Sequence, residues 1–215
     1  MTQVKSMREV FTEIYRNNLF GGRDSRSGTG SDLIQTAEIR QRLPTLLKEI
    51  GVQTMLDIPC GDFHWMKEVD LGVDYTGADV VVEIVNRNQR LYGHEKCRFM
   101  TLDLVQDSLP KVDLVFCRDV LVHFSFADIF ATLLNMKRSG SEYLLTTTFT
   151  DRSTNIDIPT GHWRPLNLQI APFKFPAPVA IINEKCTEGD GSWGDKSLGL
   201  WKICDIPVAA PAERQ

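Results

Sequence analysis

The segment MLDIPCGDF (55–63) runs an apolar strand into a carboxylate, Asp57, and then into a tight turn containing Gly61. In an open parallel sheet, ligands bind outside the carboxyl ends of the strands, near the point where strand order reverses, and a glycine there lets the backbone approach them. Asp79 ends the next strand-like run, 22 residues after Asp57. An acidic side chain about 20 residues past the first glycine turn is placed to accept from ribose hydroxyls. Asp103 follows a third such run (97–104) and could accept from an adenine amino group. RDVLVHF (118–124) then brings Arg118, Asp119 and His123 into one short segment after a fourth run. An imidazole with an unperturbed pKa of ~6.5 suits proton removal near neutral pH. His123 reads as a general base or as a structural histidine at a helix start, with Asp119 the second candidate base.

These residues need a framework of strands and helices to converge. Apolar positions at Met7, Val10, Phe11, Ile14, Tyr15 and Leu19 follow a helical face. After a glycine-rich stretch, a second helix is expected from Leu33 to Ile50, capped by Ser31 or Asp32, with Pro44 a possible kink and Gly51 its stop. From residue 52 strands and helices alternate. Strands are expected at 52–58, 74–80, 97–104, from 112, and at 141–149, with helices over 81–91 and 125–140. Such alternation implies a parallel sheet covered on both faces. The runs 178–184 and 197–203, joined by the glycine-rich EGDGSWGD with no long helix between, suggest an antiparallel hairpin at the sheet edge.

The 215 residues fit about one domain with additions. Apolar residues are 42% and charged residues 24%, ordinary for a globular domain. The net charge of −4 argues against a nucleic-acid partner, since such proteins usually carry a basic excess. No apolar run reaches the ~20 residues of a membrane helix, and the charged start of the chain has no signal-peptide core, so no membrane partner and a cytoplasmic location are expected. Five scattered cysteines without a CxxC pair read as free thiols. No sequence feature sets an oligomeric state.

The order of these motifs resembles the class I S-adenosylmethionine-dependent methyltransferase family. LDIPCGDF (56–63) resembles its first motif through Asp57, Cys60 and Gly61, with Pro59 and Phe63 standing where the family usually has glycine. YTGADV (75–80) resembles the second motif, with Asp79 as the ribose ligand, and MTLDL (100–104) the adenine segment, with Asp103 and Leu104. VDLVFCRDVLVHF (112–124) resembles the fourth-strand motif beside the reacting methyl group. A nicotinamide dehydrogenase would want G-x-G-x-x-G after the first strand, and PCGDFH does not supply it.

The resemblance implies an α/β three-layer sandwich. Its sheet would be a mostly parallel, seven-stranded, doubly wound (Rossmann-like) one with a C-terminal antiparallel hairpin. Residues 1–50 would be N-terminal helices and a lid loop of the same domain, 51–205 the core, and 206–215 a tail. It implies S-adenosyl-L-methionine as cofactor, bound by Asp57, Pro59, Cys60, Gly61, Asp79, Asp103, Leu104 and Arg118. The acceptor would be a small molecule or sugar-like metabolite, with oxygen favoured slightly over nitrogen. The alternatives are a protein or N-methyltransferase, or a non-catalytic module of the same fold.

Two less regular segments are candidates for the acceptor side. GGRDSRSGTGSD (21–32) is a plain connection or a lid whose Arg23 or Arg26 binds an anionic group. The stretch 150–178 is long for an irregular loop, which points to function. Its GHWRPLNLQIAPF either staples onto the core or forms a pocket wall, with His162, Trp163 and Arg164 as contacts. Asp119, Asp151 and Asn155 are conceivable Mg²⁺ ligands, but their spacing does not demand one and no metal is expected.

Overall fold

The structure is a computed structural model that describes residues 5–208. Seven strands form one sheet: β1 Thr54–Asp57, β2 Asp74–Asp79, β3 Cys97–Thr101, β4 Leu114–Cys117, β5 Tyr143–Phe149, β6 Ala180–Asn183 and β7 Lys196–Lys202. Their spatial order is β3-β2-β1-β4-β5-β7-β6, with β1 to β5 parallel and β7 antiparallel to both β5 and β6. Among the described residues four α-helices cover it: α1 Met7–Arg16, α2 Ala37–Glu49, α3 Val82–Tyr92 and α4 Phe126–Ser139. This is the three-layer, mostly parallel sheet with a terminal antiparallel pair that the motif order implies. The tail expected at 206–215 lies from residue 209 on outside the described residues.

Alternation along the central strands divides the core between two faces. Met55, Leu114 and Phe116 face one side, where they join Ile39, Leu43 and Leu47 of α2 and Val85 of α3. Leu56, Val115 and Cys117 face the other, against Ile129, Leu133 and Met136 of α4. Phe173 and Phe175 belong to that second face, so this part of the irregular stretch staples onto the core. The start of the sheet is pinned by Asp113, whose Oδ2 accepts from the Gln53 and Thr54 N–H groups and from Thr54 Oγ1 at 2.8–2.9 Å.

Helix ends follow their local chemistry. Ser6 and Glu9 form a reciprocal capping box on α1, and Ser125 Oγ accepts from the Asp128 N–H at the start of α4. Gly140, in the left-handed region, ends α4. The second helix departs from expectation: α2 begins at Ala37, not Leu33. Residues 33–36 form a turn in which Thr36 N–H and Oγ1 both bond Asp32 O, and Ile34 is 81% exposed. The apolar pattern there is not a buried face, so the periodicity overran the helix.

The turn after β1 carries its own constraint. Phe63, where a glycine was expected from the resemblance, holds φ +60°, a region costly for a residue with a Cβ. Its ring packs on Tyr75, Tyr92 and Phe99 with centroids 5.0–5.3 Å away. The aromatic packing outweighs the backbone strain. We expect Phe63→Gly to relieve that strain yet lower folding stability by about 2–3 kcal/mol, read by chemical denaturation.

Candidate cofactor and acceptor site

Strand order reverses between β1 and β4, which opens a crevice at their carboxyl ends. A cavity of about 660 Å³ occupies it. Asp57, Pro59, Cys60, Gly61 and Asp79 line one end, with Leu102 and Leu104; Arg118, Asp119 and His123 line the other. Asp103 is not part of the lining: its Oδ1 accepts from the Val105 N–H (2.9 Å), a local bond two residues on. Of the three strand-end carboxylates read from the sequence, the fold therefore brings two to the cavity.

Those two are buried without a dedicated cation. Asp57 is 3% exposed, and its Oδ2 accepts from Tyr75 OH at 2.5 Å. Burial pushes its carboxyl up to about 8, against the pull of that hydroxyl. Asp79 is 5% exposed and accepts from the Val81 N–H (2.9 Å) and the Gly61 N–H (3.2 Å). Burial raises it to about 6, with those N–H groups opposing. The turn between them is kept close by Asn88 of α3, whose Nδ2 donates to Gly61 O at 2.8 Å. Gly61 has φ +53°, a region that favours glycine, and a Cβ there would sit 2.2 Å from Ser27 Oγ and displace that hydroxyl. The Cys60 thiol is buried and pushed well above its ordinary value, so it stays protonated.

The glycine-rich segment forms a roof. Asp62 accepts from Ser25 Oγ (2.8 Å) and the Arg26 N–H (2.9 Å), and Ser27 Oγ accepts from the Asp62 N–H (3.3 Å). Its far end is held by Thr29 Oγ1 on Glu188 and by Gln35 Nε2 on Thr187 Oγ1 (2.8 Å). Arg26 lines the cavity but its Nη1 donates to Tyr15 O and Arg16 O, both at 3.2 Å, while Arg23 is exposed and away from the lining.

Arg118 and Asp119 belong to a compact ion cluster. Arg118 Nη2 donates to Glu184 Oε2 (2.7 Å) and to Gly30 O (2.8 Å), and its Nη1 lies 3.3 Å from Asp119 Oδ2. Lys196 Nζ donates to Asp119 Oδ2 (2.6 Å) and lies 3.5 Å from Glu184 Oε2. Burial works against the Asp119 carboxylate, yet Arg118 and Lys196 hold it far below the usual range. Burial also works against the Lys196 ammonium, but Asp119 and Glu184 keep its pKa above the ordinary value. Asp119 is thus a fixed anion with little basicity, and Arg118 is already committed to protein groups.

His123 feels the charges of Asp119 and Lys196 but makes no ion pair or hydrogen bond with the cluster. Its Nδ1 is 2.8 Å from His162 O, and a carbonyl accepts only, so Nδ1 carries the proton and Nε2 keeps its lone pair. Burial lowers its pKa, with His162 O opposing, so the ring is neutral at pH 7. The ring of Phe20, from the roof, lies over it at 4.5 Å. The loop 161–164 grips this turn further through Gly161 N–H to His123 O (2.8 Å) and Arg164 N–H to Val122 O (3.1 Å). Arg164 is a structural clamp: its guanidinium donates to Leu121 O (2.8 Å) and Phe124 O (2.6 Å) and does not line the cavity. His162 and Trp163 do line it.

Lys196, Glu184, Trp193 and Phe20 also shape this site, and sequence reasoning passed over them. A lone tryptophan inside the glycine-rich EGDGSWGD was the one available signal. Asp151 and Asn155 lie outside the cavity lining, and Asn155 Nδ2 donates to Asn167 O and Ala171 O. Among the described residues no three His, Cys, Asp or Glu side chains gather as a metal site, and no helix is long and apolar enough to cross a membrane.

Because the folded-state pKa of Asp57 lies above its unfolded value of ~3.9, its stabilising contribution is complete below about pH 4 and is lost as pH rises to about 8. Asp57→Asn keeps an acceptor for Tyr75 OH without the buried charge. We expect its thermal midpoint in the ligand-free protein to exceed wild type at pH 8.5 and to match it near pH 4. Equal midpoints at both pH values would contradict the buried-charge assignment.

No family model matches this sequence, and no curated protein does. Solved structures do. A magnesium protoporphyrin IX methyltransferase from Synechocystis PCC 6803 with bound S-adenosylhomocysteine is 19% identical, over 68% of this chain and 72% of that one, with a TM-score of 0.50. The same enzyme with bound S-adenosylmethionine is 16% identical, over 73% and 83%, with a TM-score of 0.50. An N-methyltransferase, NodS, from Bradyrhizobium japonicum WM9 with S-adenosylhomocysteine is 19% identical, over 63% and 73%, with a TM-score of 0.51. The strand order, the crevice at β1 and β4 and these likenesses agree: the chain has the fold of the class I S-adenosylmethionine-dependent methyltransferases.

Proposed function

We propose that this protein transfers a methyl group from S-adenosylmethionine to a small-molecule acceptor, with an oxygen acceptor favoured over nitrogen. The observation that carries the proposal is one cavity with two unlike ends. Asp57 and Asp79, buried and short of positive charge, line one; a neutral His123 with a free Nε2 lines the other.

The residues present fit the cofactor. Asp79 Oδ1 and Oδ2 are held by backbone N–H groups at the end of β2, where they can accept from ribose hydroxyls. Asp57 wants a cation, and S-adenosylmethionine carries an ammonium and a sulfonium. Leu102 and Leu104 offer an apolar surface to a base. The bound cofactor supplies an electrophilic methyl carbon. The roof (residues 17–36) acts as a lid that excludes water from it, closed by Asp62, Glu188 and Arg118. Holding the acceptor atom in line behind that carbon supplies much of the rate. His123 Nε2 takes the proton of an acceptor hydroxyl, and His162 O stabilises the imidazolium formed at Nδ1–H. Asp119, held ionised by two cations, orients Lys196 and does not exchange protons.

The reading is tested by replacing one residue at each end. Asp79→Ala should weaken S-adenosylhomocysteine binding by at least about tenfold, through loss of charged hydrogen bonds of ~1–3 kcal/mol. His123→Gln should leave that affinity within about twofold of wild type and lower kcat roughly a hundredfold. The acid limb of the wild-type rate should fall below pH 6.5, because the histidine pKa is lowered. Unchanged cofactor affinity in Asp79→Ala would overturn the ribose assignment, and an undiminished kcat in His123→Gln would overturn the base.

A further inference from the structure

We infer that the acceptor end of the cavity is a subsite for a planar aromatic ring system carrying one hydroxyl, neutral or cationic overall, held by Trp163 and Trp193 beside the loop that fixes His123; this rests on the methyl-transfer reading above.

Two tryptophans from unrelated segments meet here. Trp163 comes from the loop that grips His123, and Trp193 from the connection between β6 and β7. Their ring centroids are 4.8 Å apart at 69°, and both lie edge-on to Phe149, which ends β5, at about 6 Å. All three line the cavity. Trp163 is 44% exposed although it belongs to a tightly bonded loop, so its placement is not explained by core packing. Large indole faces at a cavity mouth favour aromatic ligands, which stack offset or edge-to-face.

The position is fixed relative to the base. His162 O holds His123 Nδ1 and Gly161 N–H holds His123 O, so the residue next in sequence, Trp163, cannot shift without moving the imidazole. Ring binding and proton acceptance are thereby set by one rigid loop.

The polar inventory narrows the ligand. Asp119, Lys196 and Glu188 also line this end, but each is bonded to protein: Asp119 and Lys196 to each other, Glu188 to Thr29. The wall formed by Phe149, Trp163 and Trp193 itself offers only two indole N–H groups. A polyol such as a sugar would bury several hydroxyls without partners, at a cost for each. A ring with one hydroxyl would not. Hydrogen bonding excludes a second class: an ionised carboxylate has no hydrogen to donate to His123 Nε2.

The test is calorimetry on the full chain with three probes, each with and without S-adenosylhomocysteine: 2-naphthol, 2-naphthoate and methyl glucoside. We expect 2-naphthol to bind, 2-naphthoate to bind at least about tenfold more weakly, and methyl glucoside not to bind. Trp163→Ala and Trp193→Ala should each weaken 2-naphthol about tenfold while leaving S-adenosylhomocysteine affinity unchanged, and Trp193→Phe should recover most of the loss. Tighter binding of naphthoate or glucoside than of naphthol overturns the inference, as does wild-type naphthol affinity in both alanine variants. Failure of S-adenosylhomocysteine to bind would sink the methyl-transfer reading, whereas the naphthol titration alone still decides the aromatic subsite.

Discussion

Two carboxylates, buried at the ends of neighbouring parallel strands with no cation set between them, are the constraint around which this structure is arranged. The register of β1 on β2 pairs Asp57 with Gly77, so Asp79 ends its strand two residues beyond. Neither group can leave the interior without disrupting the sheet. Dipoles supply most of the compensation: Tyr75 OH for Asp57, with a smaller pull from the Arg118 charge, and the Gly61 and Val81 N–H groups for Asp79. The nearest guanidinium, Arg118, is committed to Glu184, Asp119 and Gly30 O. Sites that lower folding stability in this way are characteristic of ligand-binding positions.

The other end of the cavity is organised by the opposite rule. There each buried charge has a partner, and the cluster of Arg118, Asp119, Glu184 and Lys196 ties the ends of β4 and β7 and the residues after β6 into one unit. Breaking such a cluster leaves an unpaired buried charge, so it fixes geometry more than it supplies reactivity. Reactivity is left to His123, which lies outside the pairing. Its tautomer is chosen by a backbone carbonyl, and its environment keeps it neutral. One end of the cavity is thus short of positive charge and the other is neutral and basic, which suits a cationic donor beside a protic acceptor.

The succession of strands and the two cavity carboxylates were legible in the sequence because they rest on local signals: strand-like runs of four to seven residues, the first two of which end in an aspartate. Asp103 shows where such signals stop. A strand-end aspartate can satisfy a backbone N–H two residues on as readily as it can face a ligand, and only the chain's path decides. Arg164 shows the same for length: its guanidinium reaches back to Leu121 and Phe124, a clamp invisible to spacing. Lys196 and Glu184 were missed because their meaning comes from pairing across a hairpin with residues 66–77 positions away. The start of α2 was misjudged because Leu33 and Ile34 are apolar yet exposed.

The central claim is that the Asp57–Asp79 end of the cavity is built for the cationic cofactor. Calorimetric titration with S-adenosylhomocysteine at pH 7, in two buffers of different ionisation enthalpy, tests it directly. A carboxyl with a pKa of about 8 is mostly protonated in the free protein and ionises beside a bound ammonium. The account predicts one-site binding that releases about one proton per molecule bound. No binding, or binding with no proton released, would contradict it.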